Sequence, residues 1–254
     1  MKIDFNFKQS YGIQDLIEIM GLLRSENGCP WDKEQTHASI KSNVIEEAYE
    51  VVDAIEQNSI PALREELGDL LLQVVFHSEI ESENGSFNFS DVCDEICKKL
   101  IIRHPHIFGE VSADTSEQVL NNWEKIKNQT KGVATATETL KNVPKFLPAL
   151  MRANKIQSRA IKAGVKPDGT AEIFNALQNQ LLKLNNSEDA QDKQAIAQEF
   201  KQLLFKTVAL GRALGLNSEE LLAEFCDEFI ADFEQQEKLT QVQGKNLFAF
   251  SVLN

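Results

Sequence analysis

An all-α fold is predicted for this 254-residue chain by three observations. Gly and Pro are sparse, with 12 and 6 copies, while the good helix formers Leu, Glu, Lys, Gln and Ala are plentiful. Apolar residues recur at helical spacing through most of the chain. Short turns rich in Asn, Gly, Ser or Pro separate these periodic stretches.

Taken in order, Ile13, Leu16, Ile17, Met20 and Leu23 predict a first helix over 13–26, broken by Asn27-Gly28-Cys29-Pro30. A second helix is expected from about Lys33 to Gln57, with Ile40, Val44, Ile45, Ala48, Val51, Val52 and Ile55 on its apolar face. Asn58-Ser59-Ile60-Pro61 makes the next turn, with Ser59 suited to an N-cap and Pro61 to a first turn. A third helix follows to about Glu81. Its middle, Leu67 to Phe76, is apolar almost all the way round, so burial on several sides is expected. The covering layer would be the other half of the chain, a second subunit, or both.

Further helices are expected at about 89–101, 116–128, 147–163, 171–184, 190–214 and 218–238. Residues 129–145 lack helical periodicity and predict a linker between an N-terminal helical domain, 1–128, and a C-terminal one, 146–254. The last dozen residues suit either a short strand or a loose tail. An offset of 133 aligns the central helix pairs of the two halves without a gap: Leu70-Leu71-Leu72 falls on Leu203-Leu204-Phe205, and Val75 on Val208. Gly28-Cys29-Pro30-Trp31-Asp32 has a shifted echo in Gly164-Val165-Lys166-Pro167-Asp168. An internal duplication is the natural reading.

A net charge of −13 argues against a nucleic-acid polymer or an anionic membrane as partner. It leaves room for a small anion held through bound cations. Cys29, Cys93, Cys97 and Cys226 lack disulfide-framework spacing, which suits a reducing compartment. Met1-Lys2-Ile3-Asp4 has no apolar leader, and no segment reaches membrane-spanning length. A cytoplasmic location is expected.

The chemistry concentrates in one acidic pattern. Glu46-Glu47-x-x-Glu50 is followed, after fifteen residues, by Glu66-x-x-Asp69. Residues three or four apart share a helix face, and the short turn makes the two helices antiparallel neighbours, so the pairs can converge. Carboxylates gathered among Val, Ile and Leu repel one another unless cations intervene. Hard oxygen ligands without His or Cys suit Mg²⁺, with Mn²⁺ as the alternative. A plain solvated acidic face is the competing reading, but few Lys or Arg sit one turn away to pair with these acids.

Four motifs carry a family resemblance: Gly28-Cys29-Pro30-Trp31-Asp32-x-x-Gln35-Thr36-His37, Glu46-Glu47-x-x-Glu50, Glu65-Glu66-Leu67-Gly68-Asp69-Leu70-Leu71 and Arg103-His104-Pro105-His106-x-Phe108-Gly109. Together they resemble MazG, the all-α nucleoside triphosphate pyrophosphohydrolase family. Leu147-Pro148-Ala149-Leu150-Met151-Arg152-Ala153 is similar to the opening of that family's second repeat. The resemblance implies tandem helical modules assembled as a homodimer. It also implies Mg²⁺-dependent cleavage of a nucleoside triphosphate between the α- and β-phosphates, giving a monophosphate and pyrophosphate.

By that resemblance Glu47, Glu50, Glu66 and Asp69 are the metal ligands, and Glu46 is a supporting carboxylate that polarises the attacking water; Glu46, Glu47 and Glu50 form the catalytic set. Lys99, Arg103 and Lys127 are expected to grip the triphosphate. Trp31, beside a helix start, is a candidate cover for the base, although loop tryptophans often cap a core. His104 and His106 are expected to shape a turn, and His37 and His77 to be structural.

The second half departs from the pattern. At the offset of 133 the acids become Asn179, Gln180, Lys183 and Gln202, leaving only Glu199. Lys183 would put a positive charge where a cation belongs, and Lys201 replaces the glycine equivalent to Gly68, putting close helix approach in doubt. The C-terminal repeat is therefore expected to be a non-catalytic scaffold. Two alternatives stay open: a non-catalytic nucleotide- or metal-binding helical protein acting through partners, and a narrower pyrophosphatase for dUTP or dCTP.

Overall fold

The computed structural model describes residues 5–130, 135–189 and 191–243. Helices and turns make up the described residues, and no strand occurs among them. None of those helices is long and apolar enough to cross a membrane. The chain divides into two compact units, residues 1–127 and 128–254. The strand-or-tail question at the C-terminus lies outside the described residues, as do residues 1–4.

The first unit contains α1 (Ile13–Arg24), α2 (Pro30–Glu34), α3 (His37–Glu56), α4 (Ile60–Glu83), α5 (Phe89–Arg103) and α6 (Pro105–Phe108); α7 (Ser116–Thr130) runs just past its boundary. A single helix was expected over 33–57, but the chain breaks before His37. Thr36 makes a reciprocal cap: its hydroxyl accepts from Ser39 N at 3.2 Å, and Ser39 Oγ accepts from Thr36 N at 2.9 Å. That local pairing satisfies the first turn of α3 better than continuation of α2 could. Ser59 caps α4, accepting from Ala62 N, and Pro61 sits in the first turn, as expected. Asn58 ends α3 in the left-handed region (φ 51°), where asparagine is tolerated, and the following Ser59 N–H returns to Ala54 O at 3.0 Å.

α3 and α4 form an antiparallel hairpin, with α1 and α5 packed against α4. Met20, Ile40, Val75, Phe76 and Ile80 are the buried core, backed by Leu16, Ile17, Leu72 and Phe89. Burying each such side chain contributes roughly 1.5–3 kcal/mol. Arg24, also buried, ties α1 to its neighbours. Its guanidinium donates to both carboxylate oxygens of Glu83 (2.6 and 2.8 Å) and to the carbonyls of Asp32 and Gln35, and lies 5.3 Å from the Phe76 ring centre. This bond set fixes the Gly-Cys-Pro-Trp-Asp segment against α4. Gly28 is required there: a Cβ would stand 2.2 Å from the Leu23 carbonyl oxygen.

The expectation that Leu67–Phe76 is enclosed on several sides is only half met. Val75 and Phe76 are buried, but Leu67, Leu71 and Val74 remain 50%, 40% and 40% exposed. Ile45, Tyr49 and Val52 on α3 are exposed to a similar degree. One face of the hairpin is therefore left largely open by the described helices of its own unit.

The second unit contains α8 (Ala136–Lys141), α9 (Ala149–Lys162), α10 (Thr170–Asp189), α11 (Lys193–Ala213) and α12 (Ser218–Gln243). The stretch 129–145, read as a linker, contains α8, capped by Thr135 through Glu138 N. The offset of 133 carries α3 onto α10 with both ends matched, and the start of α4 onto the start of α11. It also pairs buried positions: Ile40 with Ile173, Val75 with Val208, and Arg24 with Gln157.

Candidate active site

Packing of α3 against α4 brings the two acidic pairs together. Glu47, Glu66 and Asp69 each offer a carboxylate oxygen, and the three lie within 4.8 Å of one another. All three side chains are half-buried. Glu50 is exposed and hydrogen bonds to Glu47; Glu46, on the neighbouring helix face, reaches Glu47 only through its charge.

The electrostatics are those of crowded anions. Burial pushes the Glu47 carboxyl above its ordinary pKa, aided by the Glu50 hydrogen bond and by the charges of Asp69, Glu50 and Glu46. Glu66 is raised for the same first reason, then by Glu50, Glu65 and Asp69. No Lys or Arg contributes to either shift. Oxygens this close need only small side-chain rotations to meet an Mg²⁺ octahedron, whose opposite ligands stand about 4.2 Å apart, twice the Mg–O distance. The donor set therefore fits a hard divalent cation, with Glu50 at its edge.

The sequence reading passed over two residues, one at this site and one beside the expected phosphate-binding cations. Gln73, one turn beyond Asp69, donates from Nε2 to Glu47 Oε1 at 3.4 Å. Trp123 lies between two of the expected phosphate-binding cations: Arg103 is 5.3 Å and Lys127 4.6 Å from its ring centre. The spacing Trp123-x-x-x-Lys127 was the available signal. Lys99 is hydrogen bonded to Glu95 at 2.9 Å. Trp31 is 58% exposed on α2, where its carbonyl accepts from Gln35. His104 Nδ1 donates to Leu100 O at 2.6 Å at the end of α5, a turn-shaping role.

In the second unit the equivalent place holds a different arrangement. Gln180, at the position of Glu47, is fully buried and donates to the carbonyl (2.9 Å) and the carboxylate (2.5 Å) of Glu199. Lys206, at the position of Gln73, donates to Gln180 Oε1. Lys183 was expected to supply the positive charge here, but it is exposed. The charge comes from Lys206 on α11, the helix that packs against α10. Doubt over helix approach at Lys201 also resolves simply. A Cβ at Gly68 would meet nothing within 4 Å, so a side chain at this position is tolerated within the chain.

Residues 35–108 match the family model described as the MazG nucleotide pyrophosphohydrolase domain. This span takes in α3, α4 and α5 and lies in the half whose acids are intact. A nucleoside triphosphate pyrophosphohydrolase of Escherichia coli (strain K12) is 40% identical over 235 residues, 91% of this chain and 89% of that protein. The chain belongs to the MazG family. A MazG nucleoside triphosphate pyrophosphohydrolase/pyrophosphatase of Thermotoga maritima is 37% identical over 231 residues, covering 91% of this chain and 88% of its own. A nucleoside triphosphate pyrophosphohydrolase of Mycolicibacterium smegmatis is 39% identical over 153 residues, or 59% of this chain. The similarity to the first two spans both units of this MazG chain, whose second unit holds Gln180 and Lys206 where the first holds Glu47 and Gln73.

Proposed function

We propose that this MazG family member hydrolyses nucleoside triphosphates to monophosphate and pyrophosphate in its first repeat, residues 1–128. The linker 129–145 joins that repeat to a non-catalytic one, 146–254. The observation that carries the reading is the convergence of Glu47, Glu66 and Asp69 across α3 and α4 with no internal cation to balance them.

In this reading Glu47, Glu50, Glu66 and Asp69 hold Mg²⁺, or Mn²⁺ in its place. The ion would neutralise phosphate charge and make bound water more acidic. The attacking water adds to phosphorus at the α–β bridge, its proton passes to a carboxylate of the Glu46-Glu47-Glu50 set, and the bridge oxygen leaves with the departing phosphate group. Lys99, Arg103 and Lys127 bind the triphosphate, with Trp123 keeping the last two in position. Trp31 remains the candidate cover for the base. The uncovered apolar face of the α3–α4 hairpin supports a homodimer, in which that face of one protomer meets its partner's. Free cysteines support a cytoplasmic setting.

The test is a panel of ribo- and deoxynucleoside triphosphates with Mg²⁺. Monophosphate plus pyrophosphate is the expected product pair; diphosphate plus orthophosphate would mean cleavage at the terminal phosphate and would overturn the reading.

A further inference from the structure

Beside the acidic triplet lies a cavity of about 250 Å³, lined by Val44, Gln73, Val74, His77, Phe87 and Val92. Its walls continue the site. Val44 precedes Glu47 by one turn of α3, Gln73 follows Asp69 by one turn of α4, and the Gln73–Glu47 hydrogen bond joins the two regions. One turn is about 5.4 Å along a helix. A nucleotide whose phosphates meet the triplet would thus bring its base to this cavity. Pockets for whole drug-sized molecules run roughly 300–1,000 Å³, so this smaller one suits a single ring system. Phe87 gives it an aromatic wall.

Its ring nitrogens come from His77. The His77 and His37 rings are nearly parallel (7°, centres 4.9 Å apart) with their Nδ1 atoms 2.6 Å apart. This edge contact is an N–H···N hydrogen bond. His37 Nε2 in turn lies 2.6 Å from Glu81 Oε1. The hydrogen bond with His37 is the first reason the Glu81 carboxyl sits below its ordinary pKa, so it is an ionised acceptor. His37 therefore carries its proton on Nε2 and, when neutral, accepts at Nδ1 from His77. The proton of His77 is then on Nδ1, and its Nε2 is a bare lone pair. Ser78 does not compete for it, because its hydroxyl donates to Val74 O at 2.8 Å.

We propose that this cavity receives the nucleobase and that His77 Nε2 reads the base edge as an acceptor, selecting an exocyclic amino group over a keto oxygen. The proposal rests on the function given above. Cytosine and adenine present an amino N–H to the lone pair. Uracil and hypoxanthine put a keto oxygen at the same place, two acceptors face each other, and neither finds a donor. His77 is the specificity-determining residue. His37 and Glu81 are positioning residues that hold its tautomer.

Two measurements on the full chain test this. The first compares kcat/KM, with Mg²⁺, for CTP against UTP and for ATP against ITP. The wild type should favour the amino-bearing member by about tenfold or more, the size expected when one buried polar group loses its partner. His77→Phe should bring both ratios near one, and His37→Phe should lower them while the His77 ring remains. A wild-type ratio near one, or an unchanged ratio in a folded His77→Phe, overturns the proposal. The second is ¹⁵N NMR of the imidazoles, which needs no turnover. His77 should be the Nδ1–H tautomer, and CMP should shift its Nε2 resonance where ribose 5-phosphate does not. An Nε2 signal indifferent to CMP refutes base reading, whereas absence of turnover with an intact CMP response refutes only the hydrolase reading.

Discussion

Lys206 donates to Oε1 of Gln180, a side chain with no exposed surface. The pair occupies the positions that Gln73 and Glu47 hold in the first repeat. Where one repeat gathers carboxylates that need an added cation, the other has a neutral amide, a single carboxylate at Glu199 and an ammonium supplied by its own chain. The second site is thereby filled from within.

Replacing Lys206 by Met should strand a buried acceptor and cost about 1–3 kcal/mol. Urea unfolding of the second unit would register the loss as a lower midpoint. Pyrophosphate release per folded chain should stay at the wild-type rate if the acids of the first repeat are the catalytic ones, as proposed.

Glu47→Gln and Asp69→Asn should each reduce turnover by several orders of magnitude while the chain stays folded, each tenfold being about 1.4 kcal/mol of barrier. Pyrophosphate release at near-normal rates by either variant would rule out the assigned ligands.

The raised pKa values of Glu47 and Glu66 give a pH dependence with a definite sign. In the metal-free chain the folded state holds these protons more tightly than the unfolded one. Their contribution to stability is complete below the ordinary carboxylate pKa and is lost as pH rises through the raised folded values. In EDTA at neutral pH, Glu47→Gln should therefore melt above the wild type, with the gap closing as the pH falls to about 4.5, the ordinary value. Mg²⁺ should reverse the order, adding about 2.7 kcal/mol to the wild type at a hundredfold excess over its Kd and little to the variant. Calorimetry at paired pH values would separate the two.

Gly28→Ala should be strongly destabilising, because its Cβ would meet backbone carbonyl oxygen at 2.2 Å and backbone cannot step aside. Gly68→Ala should instead raise chain stability by up to about 1 kcal/mol, since open space surrounds that helical glycine. Equal effects in thermal melts would contradict the contrast.

Leu71→Asp should convert a dimer to single chains if the exposed α3–α4 face is the proposed interface. Light scattering would show the mass halved with helix content retained; an unchanged mass would place the interface elsewhere.

The sequence by itself determined most of the long helices, though not the break before His37 or the helix Ala136–Lys141, together with the Ser59 cap, the offset of 133 and the identity of the intact acids, because each is written in local spacing along one chain segment. Three and four residues apart is a face, whatever the helix packs against. Tertiary structure alone decided which groups meet across helices. Glu47 lies with Glu66 and Asp69 while Glu50 stays at the edge, Lys206 rather than Lys183 enters the second site, and His37 meets His77 ring to ring from 40 residues away. It also showed that within Leu67–Phe76 the side chains of Val75 and Phe76 are buried while Leu67, Leu71 and Val74 stay exposed. These outcomes depend on the register between helices and on side-chain reach, and a one-dimensional pattern carries neither.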